Sequence, residues 1–330
     1  MDAVSNVRDL SHIAELLKAN DHYVIVPHVA PDPDAFGAAC GLALVLDRLG
    51  KKVTVYTDEA VEANYRFLGE YFPISHDLPD PAGKKLIFVD GGEHKRMPAP
   101  VREWQTFMNI DHHLENGQFA EWIYVDTAAA ATSLLVARIA EAAGVALDEA
   151  IASCLFTGLL FDTRNGFITD KCTPEVYHTV GRLVEAGARP DHLNRLLNEQ
   201  MTMGDFRLYG EALAGLKTAL DGKIVYTALT RAMLEETGGS DQAMEMLTLN
   251  LPKIAGGEIY VLFKESESGP IKVSLRSKGR LAVNEVAKQF NGGGHKFAAG
   301  AKFDLPMAEA VKTLITACEA AVRQELSLAP

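Results

Sequence analysis

Two rhythms of apolar residues alternate along the first half of the chain. Short runs rich in β-branched residues, "YVIVPHV" (23–29), "KKVTVYT" (51–57), "KKLIFVD" (84–90) and "TFMNIDHH" (106–113), read as buried strands. Between and after them, "AFGAACGLALVLDRLG" (35–50), "AAAATSLLVARIAEAAG" (128–144) and "DEAIASCLFTGLLFDT" (148–163) read as helices, the first two stopped by Gly50 and Gly144. This alternation predicts an α/β domain with a mainly parallel sheet flanked by helices.

The pattern then changes. "TPEVYHTVGRLVEAGA" (173–188) predicts a helix with Thr173 as N-cap and Pro174 in its first turn. Residues 189–220 read as almost entirely helical, with a break at Pro190. Beyond them come strand "KIVYTAL", helix "SDQAMEMLTLNL", strands "EIYVLFKE" and "IKVSLRS", helix "LAVNEVAKQF", a loop "NGGGHKFAAG" (291–300) and a last helix over 306–326. This predicts a smaller C-terminal α/β domain with a mixed sheet. The expected organisation is a catalytic metal-binding domain over 1–187, a linker over 188–204 and a substrate-binding domain over 205–330. A length of 330 residues suits two domains.

Composition narrows the function classes. No apolar run reaches the roughly 18 residues of a membrane span, and "MDAVSNVRDL" has no signal-peptide core. A cytoplasmic location is expected. Cys40, Cys154, Cys172 and Cys318 are scattered without a C-x-x-C pair, which argues against a zinc knuckle or a disulfide framework. The formal net charge of −12 argues against a grip on long duplex nucleic acid but leaves room for a short anionic substrate.

The candidate chemistry lies where strands end. "HVAPDPDAFG" sets His28, Asp32 and Asp34 in a proline-stiffened turn between a strand and a helix. One imidazole and two carboxylates suit Mn²⁺ or Mg²⁺, with Co²⁺ as a substitute. Taken alone, the same turn is as readily a helix cap. "FVDGGEHKR" ends a buried strand on Asp90, and "NIDHH" ends another on Asp111, His112 and His113. One of the two histidines would ligate a metal and the other contact a phosphate or donate a proton, with Asp111 behind them. Adjacent side chains in an extended segment point to opposite faces, so the pair should not share a role. "GLLFDTRNGF" places Asp162 at the end of an apolar helix, where a bare carboxylate is costly unless paired or metal-bound. Together these carboxylates and imidazoles suffice for two ions about 3.5–4 Å apart, bridged by one carboxylate. In the second domain, the glycines of "NGGGHKFAAG" can form an anion nest, and Arg276 in "VSLRSKGR" adds positive charge.

The ordered set "HVAPDPDAFG", "VDGGEHKR", "NIDHH", "FDT", "VSLRSKG" and "NGGGHKFAAG" resembles the DHH phosphoesterase superfamily with its C-terminal DHH-associated domain. The resemblance covers roughly residues 22 to 304 and is nearest to the nanoRNase and 3′-phosphoadenosine 5′-phosphate phosphatase branch. It implies one metal on His28, Asp32 and Asp90, and a second on Asp34, Asp90, His112 and Asp162. Asp90 would be the bridge and His113 would face the scissile phosphate. Arg276 and the run Gly292, Gly293, Gly294, His295 would hold the nucleotide, with Asn116 a further substrate contact that fits the nanoRNase-like form. The expected activity is hydrolysis of short single-stranded oligonucleotides, linear dinucleotides included, to nucleoside monophosphates, and of 3′-phosphoadenosine 5′-phosphate. "DTRN" is similar to the cyclic-dinucleotide-cleaving branch. The rival readings are a cyclic-dinucleotide phosphodiesterase, an inorganic pyrophosphatase and a non-catalytic nucleotide sensor. A homodimer is one option for assembly.

Overall fold

The computed structural model describes residues 5–6, 9–114, 116–199, 201–266 and 269–326. Gln200, inside the long helix expected over 189–220, lies outside them, as does most of the N-terminal stretch read for a signal sequence. The chain divides into two compact units, Met1–Gln200 and Met201–Pro330.

The first unit runs β1 (Ser5–Asn6), α1 (Leu10–Ala19), β2 (Tyr23–Pro27), α2 (Pro33–Arg48), β3 (Val53–Tyr56), α3 (Leu68–Tyr71), β4 (Ile74–Ser75), β5 (Lys85–Val89), β6 (Thr106–Asp111) and β7 (Trp122–Val125). Helices α4 (Thr132–Ala143), α5 (Glu149–Asp162), α6 (Pro174–Glu185) and α7 (Pro190–Asn198) follow. The described strands form one seven-stranded sheet, order β1-β7-β6-β5-β2-β3-β4, and every pairing is parallel. Both faces of its middle are covered, which is why the strands read as continuous apolar runs. Tyr23, Ile25, Ile87 and Val89 pack into the large core with α2, α4 and α5. Val24, Val26, Leu86 and Phe88 face the other way, onto Met97 and Val101.

From β2 the chain moves outward through β3 and β4, then returns to place β5 on the other side. The crevice beside such a reversal is where open α/β sheets bind ligands. The register aligns three strand ends there, since Pro27 pairs with Val89 and Val89 with Ile110. One residue beyond that rung stand His28, Asp90 and Asp111.

Helices α2 and α5 pack against each other in antiparallel fashion. Arg48 at the end of α2 pairs at 2.8 Å with Asp148 at the start of α5. Two α2 glycines make the close approach possible. A Cβ on Gly37 would lie 2.6 Å from Cys154 O, and one on Gly41 would collide with the Leu155 side chain. The arrangement brings Asp34, at the start of α2, to the level of Asp162, at the end of α5.

The second unit runs α8 (Met203–Ala214), β8 (Lys217–Ala219), β9 (Ile224–Leu229), α9 (Arg231–Thr237), α10 (Asp241–Asn250), β10 (Ile259–Glu265), β11 (Ile271–Ser277), α11 (Val283–Lys288), β12 (Gly293–His295), β13 (Ala298–Phe303) and α12 (Met307–Leu326). Its sheet, order β12-β13-β11-β10-β9-β8, is mixed, with β9–β10 the parallel pair.

Three local expectations change. The stretch expected to be a linker, 188–204, carries α7, whose Leu193 and Leu197 belong to the first unit's core. The helix expected over 189–220 is not continuous: α7 ends at Asn198, and Thr202 and Asp205 form a capping box that starts α8. Segment 291–300 is a hairpin and not a loop, with Gly293–His295 paired to Ala298–Gly300. Thr173 does occupy the N-cap of α6, but its side chain makes no capping hydrogen bond. The four cysteines are unpaired, and Cys40, Cys154 and Cys318 are buried. Among the described residues no helix is long and apolar enough to cross a membrane.

Candidate metal centre

Asp32 shows how the sequence builds the first half of the site. Its Oδ1 accepts from Asp34 N and Ala35 N at 3.0 Å each, capping α2. Its Oδ2 is left to face His28 Nε2 at 3.8 Å. Capping and ligation are therefore not alternatives, because each uses a different oxygen. His28 follows β2 directly, and its Nδ1 lies 2.8 Å from Val29 O, so Nε2 is the nitrogen turned inward.

Asp90 lies between the two histidine-bearing strand ends. It adopts a left-handed backbone, φ 59°, which is uncommon for a non-glycine residue and breaks β5 abruptly. Oδ2 faces His28 Nε2 at 3.6 Å and Oδ1 faces His112 Nε2 at 3.6 Å. Thr132 Oγ1 donates to Oδ1 at 2.7 Å and fixes the plane of the carboxylate. Gly91 follows because any side chain there would run into the Phe88 ring.

His112 points Nδ1 at Ala129 O, 3.2 Å away, and Nε2 at Asp162 Oδ2, 3.1 Å away. The opposite-face expectation for the histidine pair does not hold. The strand ends at Asp111, and beyond it both rings turn to Asp90, their centroids 4.7 Å apart. His113 Nδ1 lies 2.7 Å from Asp111 Oδ1 and 3.9 Å from Asp90 Oδ1. Asn116, expected at the substrate, donates from Nδ2 to Asp111 Oδ2 at 2.7 Å and so braces the aspartate behind His113.

Asp34 is fully buried and both its oxygens are occupied. Thr132 N donates to Oδ2 at 2.6 Å and Ser133 N to Oδ1 at 3.0 Å. The residue before α4 is Ala131, which has no side-chain oxygen to offer the first amides. Asp34 caps the helix from another element and ties α2 to α4 at the site. The charge is costly there: burial and the Asp90 and Asp162 carboxylates push its pKa well above the usual range. Burial likewise lifts Asp162, to about 6. Burial pulls His28 and His112 down, but the facing carboxylates more than offset it and raise both to about 10. Burial alone would raise Asp90, yet the surrounding imidazoles hold it well below an ordinary aspartate.

Three sets of ligand atoms lie within 4.8 Å of one another: His28, Asp32 and Asp90; Asp34, His112 and Asp162; and Asp90, His112 and His113. Hard carboxylate oxygens with one imidazole on each side suit a pair of small divalent cations. In the second unit, Arg276 pairs across the sheet with Ala298, and Ala298 with His295. Directly opposed residues share a face, so Arg276 and His295 point the same way from neighbouring strands of one sheet. Gly294, φ 133°, and Gly292 are confined by strand β13 at their backs, since a Cβ on either would collide with its backbone. A Cβ on Gly293 would meet nothing within 4 Å.

Comparison with known proteins gives the family. Residues 22–159 match the DHH family, N-terminal domain, and residues 221–324 match the DHHA1 domain. The bifunctional oligoribonuclease and PAP phosphatase NrnA of Thermus thermophilus is 32% identical over 325 residues, covering 96% of this chain and 94% of its own. The chain belongs to the DHH family. NrnA of Bacillus subtilis is 26% identical, covering 85% of this chain and 89% of its own. An exopolyphosphatase-related protein from Bacteroides fragilis superposes with a TM-score of 0.86 at 26% identity, over 94% of this chain and 95% of that one. A manganese-bound exonuclease RecJ shares the fold, with a TM-score of 0.55 at 15% identity over 96% of each chain.

Several residues of this DHH site were not singled out by sequence reasoning. Thr132 and Ser133 sit in "ATSLL", which reads as an ordinary helix start. Gly158, within the apolar run of α5, leaves room for Asp34. A Cβ there would collide with both Asp34 Oδ1 and Ser133 Oγ. Gly158→Ala is therefore expected to displace the Asp34 carboxylate. Overpacking of this kind costs about 1–3 kcal/mol, more than the roughly 1 kcal/mol of helix propensity that alanine returns. Calorimetric titration with Mn²⁺ should show one class of site weakened about tenfold or more, by analogy with lost ligand support, and the other retained.

Proposed function

We propose that this chain hydrolyses short single-stranded oligonucleotides, linear dinucleotides among them, to nucleoside monophosphates, and that it also removes phosphate from 3′-phosphoadenosine 5′-phosphate. The observation that carries the reading is Asp90, whose two oxygens face two different histidines. The NrnA relatives, named as oligoribonucleases and PAP phosphatases, support the choice of substrate.

The residues fit two divalent cations, Mn²⁺ by preference with Mg²⁺ or Co²⁺ as alternatives. His28, Asp32 and Asp90 would hold one; Asp34, Asp90, His112 and Asp162 would hold the other. When bound, such a pair lowers the pKa of a water and neutralises phosphate charge in an in-line displacement. Asp90 would serve both ions, and the Thr132 hydroxyl fixes the plane of its carboxylate. His113, oriented by Asp111 and by Asn116 behind it, would contact the scissile phosphate. Asn116 thus acts through Asp111 and not on the substrate.

In the second unit, Arg276, Gly292, Gly293, Gly294 and His295 would bind the nucleotide. Arg276 offers a planar fork to phosphate oxygens, and burial only lowers its guanidinium pKa from a very high value. These contacts would be alike in ground and transition states. Arg276→Ala and His295→Ala should raise KM for a dinucleotide about 10- to 150-fold, the worth of a charge-assisted contact, with kcat much less affected. Steady-state kinetics of both variants checks this, and unchanged KM in both would remove the second unit from substrate binding.

Product analysis with Mn²⁺ on linear dinucleotides, 5-mers, cyclic dinucleotides, 3′-phosphoadenosine 5′-phosphate and pyrophosphate tests the activity. Nucleoside monophosphates from the linear substrates are expected. Turnover confined to pyrophosphate or to cyclic dinucleotides, or binding without turnover, would replace this reading by the corresponding rival.

A further inference from the structure

His28 and Asp32 belong to the same half of the centre and lie on one loop, with Val29, Ala30 and Pro31 between them. The spacing of the two ligands therefore depends on how those three residues run. Each is tied to a different part of the chain. Val29 N donates to Arg96 O, beyond β5, at 2.7 Å. Pro31 O accepts from the hydroxyl of the buried Tyr65 at 2.8 Å. Ala30 N donates to Glu59 Oε2, just past β3, at 2.7 Å.

The middle contact differs from its neighbours. Ala30 has φ 50°, a left-handed backbone that an alanine side chain disfavours. Untethered, the residue would relax towards an extended form and carry Asp32 with it. Ala30 is also exposed, so water could serve its amide. Glu59 is therefore not needed to satisfy a buried donor. What it adds is a fixed position, through a short charge-assisted hydrogen bond. The base of Glu59 is itself anchored. Its N–H donates to Thr57 Oγ1 at 3.2 Å, and the N–H of the buried Thr57 donates to Ser75 O in β4 at 3.1 Å.

We propose that Glu59 is a positioning residue for the metal centre: from the end of β3 it holds Ala30 in its left-handed form and so sets His28 and Asp32 at the spacing one ion requires. The inference rests on the metal-centre reading above. Among the described residues Glu59 joins none of the ligand sets, so it acts through the loop and not on an ion. Its effect is confined to the His28–Asp32 half, because Asp34 and His112 are braced by Ala129, Thr132 and Ser133 instead.

The test uses the full chain with Glu59→Ala and Glu59→Gln, and Glu59→Ala again in an Asp32→Asn chain. Mn²⁺ binding is measured by calorimetry and the melting temperature with and without Mn²⁺. Glu59→Ala should weaken one of the two Mn²⁺ sites about tenfold, the lower end for lost support behind a ligand, and leave the other unchanged. Glu59→Gln keeps an oxygen that can accept from Ala30 N, so it should recover most of that affinity. In the Asp32→Asn chain, which already lacks the first ion, Glu59→Ala should change Mn²⁺ binding no further. Two sites of full affinity in Glu59→Ala would overturn the proposal. So would equal losses in Glu59→Ala and Glu59→Gln, which would make Glu59 a charge that attracts cations and not a tether. A further loss in the Asp32→Asn chain would put its effect outside the His28–Asp32 half, with the same consequence. A metal-free melting temperature lowered as far as the metal-bound one would make Glu59 a general support of the fold and would also overturn it. A wild-type chain that binds fewer than two Mn²⁺ would overturn the metal-centre reading itself, and this inference with it.

Discussion

Asp90→Ala is expected to lose both metal ions and to lower kcat on a dinucleotide by more than about a thousandfold, beyond the 10²–10³ that removal of a single electrostatic contact costs. The expectation follows from how the carboxylate is shared. Oδ1 stands 3.6 Å from His112 Nε2 and Oδ2 stands 3.6 Å from His28 Nε2, so this one carboxylate faces a histidine in each half of the centre. Its removal also leaves the Thr132 hydroxyl without its 2.7 Å acceptor. Asp32→Ala provides the contrast. Asp32 faces His28 alone at 3.8 Å, so that variant should lose one ion and keep the other. Its second oxygen caps α2, so Asp32→Asn, which retains a capping oxygen, separates ligation from helix stability. Metal content by elemental analysis, beside kcat, gives the comparison. An Asp90→Ala protein with two bound ions and near-normal kcat would show that the bridge lies elsewhere.

The legible part of this molecule is the part governed by local rules. His28, Asp90 and the Asp111–His113 group stand out because each follows a run of apolar, β-branched residues, and a parallel sheet lines up the ends of such runs. Asp162 stands out because an aspartate closing an apolar helix needs a partner, which it has in His112. What could not be read is what depends on neighbours distant in sequence. Asp34 receives the first amides of α4 across 98 and 99 residues. Gly158 matters only because α2 and α4 both meet α5 there. Arg96 reads as one cation of "EHKR" until the fold brings it to His28, 68 residues away.

Other misreadings have local causes. The paired residues of the hairpin at 293–300 are mostly glycine and alanine, which have weak strand propensity, so the segment reads as a loop. It is a strand pair because β11 offers its edge to Ala298–Phe303. The opposite-face expectation for His112 and His113 assumed that the strand continued through them, and it stops one residue earlier. The break near residue 200, by contrast, was available: "TMGD" is a threonine with an aspartate three residues on, the signature of a capping box.

Removal of the divalent metal is expected to abolish turnover, and re-binding should expel protons in a number set by pH. In the metal-free centre His28 and His112 are raised to about 10, so at pH 7 each holds its second proton. Both must surrender the one on Nε2 to become ligands. Asp162, raised to about 6, is mostly ionised at pH 7 and contributes little there. Filling both halves of the centre at pH 7 should therefore release at least two protons, one from each imidazole, and in addition any that Asp34 holds, since burial and the neighbouring carboxylates push its pKa well above the usual range. Below pH 6 the Asp162 proton joins them. The sign is that Mn²⁺ affinity rises with pH towards 10 and falls steeply as pH drops through 6. Loading should also stabilise the fold, by about 2.7 kcal/mol for one site at a hundredfold excess over Kd. Calorimetric titration in two buffers of different ionisation enthalpy counts the protons directly, and a melting curve with and without Mn²⁺ gives the stabilisation. Proton-neutral binding at pH 7 would mean that the imidazoles are not the ligands. Dinucleotide turnover that survives complete chelation would mean that the acidic cluster, whatever it holds, is not where the phosphate is cleaved.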